Sequence, residues 1–209
     1  MDFPGMIERM VSRGGSGVSN LSRRLVIAGL GAACVPLPAR AADDFTIDWQ
    51  GGERTPEVAA SLAAQIALVR SLKVSEEAMA FFRAQVITVD RELGTATRAG
   101  PRGVFFERRP MPAENPVLLH ELIHRWQLLR MADGARNAEV RGFYEAAKAS
   151  GLYPAESYML KNPFEFFAMT ASVVLWGKAA RPPGTRGNVL AKSPELHAFI
   201  VRTFGLRLT

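Results

Sequence analysis

Cysteine is nearly missing from this chain. Among 209 residues there is one, Cys34, and it sits in the N-terminal segment. A lone thiol closes no internal disulfide and builds no thiolate metal site, so any metal must be held by histidine and carboxylate. Histidine is scarce as well, at three residues. No apolar run reaches the roughly 18–20 residues that a transmembrane helix needs, which excludes a stable helical span. Internal repeats and low-complexity tracts are also missing, which excludes a solenoid. What remains is ordinary globular composition, 48% hydrophobic and 22% charged, in a chain long enough for one domain with a real core.

The formal net charge is +6, which invites a nucleic-acid or membrane-surface reading. The distribution argues otherwise. The first 41 residues hold five arginines and two acids, and without them the excess falls to +3. No nucleic-acid partner is expected. Ser22-Arg23-Arg24, the apolar run from Leu25 to Leu37 and the small-x-small Ala39-Arg40-Ala41 follow the plan of an export signal cleaved after Ala41. The paired arginines resemble a twin-arginine signal, and a general secretory signal is the alternative. The expected organisation is a signal peptide over 1–41 and one domain over 42–209, exported to the periplasm or beyond.

Along the mature chain, Pro56 opens a helix with Val58, Leu62, Ile66, Val69 and Leu72 at helical spacing. Ser75-Glu76-Glu77 opens a second helix. Strands are expected at 86–89 and 103–106, with a polar loop over 91–102 between them. Asn115-Pro116 reads as cap and first position of a central helix running to about Met131. Helices follow over 137–150 and 164–176, the second launched by Asn162-Pro163 and closed by Gly177. Residues 178–192 read as a surface loop, and Ser193-Pro194-Glu195 opens the last helix. The pattern is α+β, mostly helical with a small sheet.

The chemistry concentrates in His120-Glu121-Leu122-Ile123-His124, which is HExxH. On a helix the two histidines lie one turn apart on one face, so both imidazoles reach one zinc ion. Glu121 sits about 100° round the helix, beside the open metal position, where it can act as general base. The third histidine of the extended motif is absent, because Gln127 and Arg130 stand where Gly and His would be. His197 is expected to be a packing or surface residue. A carboxylate must then complete the set, from Glu139, Glu145, Glu156, Glu165 or Glu195. Glu165 stands out because Phe164-Glu165-Phe166-Phe167-Ala168 is otherwise apolar, and an unpaired acid there is costly. Glu145 is the runner-up by its spacing, and Glu165 also suits a plain acid at a helix N-terminus.

HELIHRWQ followed by Asn162-Pro163-Phe164-Glu165-Phe166-Phe167-Ala168 resembles the glutamate-zincin peptidases, in particular anthrax lethal-factor-like catalytic domains and their bacterial relatives. The resemblance spans roughly residues 103–177. It implies a zincin-like domain in which the HExxH helix faces a Glu-bearing helix. Zn2+ is then held by His120, His124 and Glu165, with Glu121 as base and Tyr158 as oxyanion donor. The substrate implied is a peptide or protein. Strand 103–106, just before the metal helix, is the expected edge to which an extended peptide adds. Such sequences often carry a further acid four residues after the ligand Glu, where it orients a histidine. Here that residue is Met169, so a weak or inactive zinc-binding domain stands as the alternative. Oligomeric state and cleavage preference are not written in the sequence.

Overall fold

The computed structural model describes residues 44–91 and 94–208. The export signal expected over 1–41 lies outside the described residues. Seven helices and a four-stranded sheet make a mixed α+β fold among those described, and none of these helices is long and apolar enough to cross a membrane.

Local chemistry explains most boundaries. Helix α1, Pro56–Arg70, starts where Thr55 Oγ1 accepts from the Val58 N–H. Helix α2, Glu76–Arg83, starts on Ser75 in the same way. Helix α4, Ala138–Ser150, is capped by Asn137 and closed by Gly151 in the left-handed region. Helix α5, Pro163–Trp176, begins on Asn162, whose Oδ1 accepts from the Glu165 N–H at 2.8 Å, and ends on Gly177. Each cap satisfies a backbone group that the helix itself leaves open.

Strands β1, Thr46–Trp49, and β2, Val86–Val89, run parallel to each other and to β4, Gly103–Phe106. The remaining strand, β3, is Arg98–Gly100, inside the segment expected to be loop. It pairs antiparallel with β4, Arg98 opposite Phe105. The sheet order β1-β2-β4-β3 corrects the expectation for residues 103–106. Strand β4 is paired on both sides, and the free edge beside it belongs to β3. Gly103 opens β4 at φ +146°, with a Cβ position only 3.2 Å from the Val86 carbonyl oxygen, so a side chain there would be strained as well as crowded.

The central helix α3, Val117–Arg130, carries HExxH. Its N-terminus differs from the expected Asn-Pro cap. Pro116 is the cap residue and offers no side-chain bond. The Leu118 N–H, which the helix itself leaves open, instead donates to Gln65 Oε1, 3.1 Å away on α1. A tertiary contact has taken the capping role, which frees Asn115 for another use. Leu118, Leu119, Leu122 and Ile123 are fully buried, and Trp126 packs edge-on to Phe81, centroids 5.0 Å apart. These contacts fix the rotation of α3 and so the direction of both histidines. Arg125 adds a polar tie. It donates to the Gly100 and Pro101 carbonyls of the β3–β4 turn and to Gln85 Oε1.

The rest of the chain closes the fold around α5. Residues 186–192, expected to be loop, form helix α6, Arg186–Lys192, on a Thr185 cap. Helix α7, Pro194–Phe204, supplies Leu196, Ile200 and Phe204 to the core.

Candidate metal centre

Helices α3 and α5 pack directly on each other, and their contact brings three donors together. His120 Nε2 lies 3.1 Å from Glu165 Oε2 and His124 Nε2 lies 3.4 Å from the same oxygen. One ligand atom from each of the three lies within 4.8 Å of the others. Two imidazole nitrogens and one carboxylate can hold a metal, and this donor set suits zinc, which takes nitrogen and oxygen ligands and leaves a position open. Of the other acids weighed for the third place, Glu139, Glu145, Glu156 and Glu195 are exposed and stand apart from the cluster. His197 is buried on α7, also outside it.

The electrostatics follow from burial and proximity. Burial lowers the pKa of His120 and overrides the Glu165 carboxylate, which raises it. A neutral imidazole is the form that binds metal. Burial acts on Glu165 in the opposite direction, but the bonds to His120 and His124 outweigh it and hold its carboxyl below the ordinary range. Glu121 is 7% exposed, and burial, then the charge of Glu165, pushes its carboxyl up to about 8. The Ala99 N–H on the edge strand and Arg98 pull it back. Such a group is basic enough to accept a proton near neutral pH and acidic enough to return it.

The two histidines are held differently. His124 Nδ1 donates to Gln127 Oε1 at 3.1 Å, which leaves Nε2 for a metal. Its ring stacks on Phe164, centroids 4.1 Å apart. His120 Nδ1 is buried and has no hydrogen-bond partner among the described residues, and Met169 lines the same cavity as His120. Gln127 and Phe164 were not singled out by sequence. Gln127 had a signal, at three residues from His124 on one helix face.

Tyr158 stands at the entrance, 45% exposed, on a short 3-10 turn over Tyr158–Leu160. Fully buried Met159 and the bond from Tyr144 Oη to the Leu160 carbonyl anchor that turn. Burial, then the Glu165 charge, raises the Tyr158 phenol and keeps its proton in place. His120, Glu121 and Tyr158 share one cavity of about 400 Å³, whose walls include Met111, Val117 and Met169.

No family model and no curated protein sequence matches the chain. Its fold is similar to the solved structure of the Pro-Pro endopeptidase PPEP-2 from Paenibacillus alvei. The TM-score is 0.54 at 17% identity, covering 78% of this chain and 98% of that one. At that identity the likeness is one of fold alone.

Proposed function

We propose that the chain is a zinc-dependent hydrolase that cleaves peptide bonds. The observation that carries this reading is the convergence of His120, His124 and Glu165 beside a buried Glu121 that lines an open cavity. A zinc ion held by the three ligands would supply Lewis acidity, lowering the pKa of water and drawing charge from a carbonyl oxygen. Glu121 takes the proton of the attacking water and returns it to the leaving amine. Tyr158, at the cavity entrance, donates a hydrogen bond to the carbonyl oxygen as it gains charge. The edge of β3, beside Glu121, offers backbone groups to an extended peptide. The Pro-Pro endopeptidase activity named for the structural neighbour supports a peptide substrate.

A second reading is a zinc-binding domain with weak or no turnover. Met169 favours it, as does a His120 Nδ1 with no partner among the described residues, since an unoriented ligand holds metal less firmly. Zinc stoichiometry and turnover of a peptide library by the purified chain, with Glu121→Gln and His124→Ala alongside, separate the two. The peptidase reading expects one zinc and cleavage in wild type, zinc without cleavage in Glu121→Gln, and neither in His124→Ala. Zinc binding with no cleavage above the Glu121→Gln background would leave the second reading in its place.

Export is part of the proposal. A fusion of residues 1–45 to a reporter should reach the periplasm, and replacing Arg23 and Arg24 by Lys should block it on the twin-arginine route. Unchanged passage of the Lys variant would assign the general secretory route.

A further inference from the structure

The cavity over the triad is lined by two arginines of unlike standing. Arg109 is already neutralised, 2.7 Å from the Glu107 carboxylate. Arg181 is exposed and makes no ion pair or side-chain hydrogen bond among the described residues.

The segment that carries Arg181 is tied down. Lys178 and Thr185 form an isolated antiparallel bridge. Within it, the Ala179 N–H donates to the Gly184 carbonyl at 2.7 Å, and the Gly184 N–H to the Arg181 carbonyl at 3.0 Å. Asn188 Nδ2 donates to the Pro183 carbonyl. The Ala180 N–H reaches across to Asn115 Oδ1, the side chain that α3 does not use as a cap. Arg181 is therefore held on the cavity rim by backbone bonds on both sides. Its guanidinium is left over, and the walls below it are apolar at Met111, Val117, Met169 and Ala179.

We propose that Arg181 is a specificity-determining residue that reads a carboxylate on the bound substrate, one flanked by apolar groups. The inference rests on the peptidase reading for its substrate class. A guanidinium binds a carboxylate in a bidentate fork, which supplies direction as well as charge. The carboxylate can belong to an Asp or Glu side chain or to a free C-terminus.

The test uses short internally quenched peptides in matched sets, with Glu, Gln or Lys at one flanking position and a free or amidated C-terminus. Cleavage is measured with the zinc-loaded full chain, and binding of the same peptides with Glu121→Gln by titration. The expected result is a preference of about 10-fold for the carboxylate over its amide, lost in Arg181→Ala and reversed toward Lys in Arg181→Glu. Arg181→Lys should keep only part of it, because the fork is gone. A preference for free over amidated peptides assigns the carboxylate to the C-terminus, and a preference for Glu over Gln assigns it to a side chain. Arg181 is exposed, so thermal stability and zinc content should not change. Equal treatment of Glu and Gln peptides together with equal treatment of free and amidated C-termini, or a preference that Arg181→Glu leaves untouched, overturns the inference even if cleavage is fast. A charge preference in binding with no cleavage keeps the inference and removes the peptidase reading.

Discussion

The inner and outer halves of the site are built on opposite plans. Around His124 everything is closed: Gln127 holds one ring nitrogen, Phe164 covers the ring face, and the residue is 4% exposed. Around His120 the site is open: a ring nitrogen lacks a partner among the described residues, and a cavity of about 400 Å³, which Met169 also lines, begins. The inner half holds the His124 ring in one orientation. The outer half leaves room for a molecule to enter. Glu121 belongs to α3 but works at the boundary, buried yet lining the cavity. The difference separates residues whose loss should cost metal from residues whose loss should cost turnover.

The largest break in that contrast comes at the boundary. Glu121→Gln should keep zinc at wild-type stoichiometry and lower kcat by about 10³–10⁴-fold, read by metal analysis beside peptide turnover. An equal loss of zinc would make Glu121 a ligand and dissolve the distinction. On the outer side, Tyr158→Phe should reduce kcat by about 10²-fold with zinc affinity unchanged, the size typical of losing one oxyanion donor. On the inner side, Gln127→Leu should weaken zinc affinity by about 10–100-fold in competition with a chelating dye. Wild-type affinity in that variant would show that Phe164 alone orients His124. Met169→Glu is the converse experiment. Giving the open half an acid should tighten zinc by about 10-fold, and no gain would mean that His120 needs no orienting partner. The smallest effect is expected farther out. Gln65→Leu leaves the Leu118 N–H unpaired and should cost about 1–3 kcal/mol in chemical unfolding, with little change in zinc content.

The same division explains what could be read from the sequence. The inner half rests on local signals. HExxH places both histidines on one face of α3, and Asn162-Pro163 sets where α5 begins and hence where Glu165 stands. Helices α1, α2 and α4 were legible for the same reason, since Thr55, Ser75 and Asn137 mark their starts within four residues. The outer half is assembled from distant segments. Strand β3 has no β-branched residue, and Arg98-Ala99-Gly100 becomes a strand because β4 pairs with it and Arg125 binds its turn. Helix α6 carries Gly187 near its start, which hid a short helix that Thr185 caps. The cap of α3 was misread because Asn115-Pro116 has the right local form, while the partner that displaces it, Gln65, lies about 50 residues away on α1. The misplaced sheet edge has the same origin, because β4 loses its edge only once β3 exists.

The bridge between Lys178 and Thr185 has an evolutionary corollary. It makes the rim segment a cassette, closed by its own backbone bonds and resting on α3's approach through the Asn115 side chain. A cassette of that kind can accept new tip residues without disturbing the helices that carry the histidines. Selectivity in such a molecule is free to diversify while the reacting centre stays fixed. On the proposed role of Arg181, variants of this scaffold with different selectivity should differ at position 181 sooner than between His120 and His124.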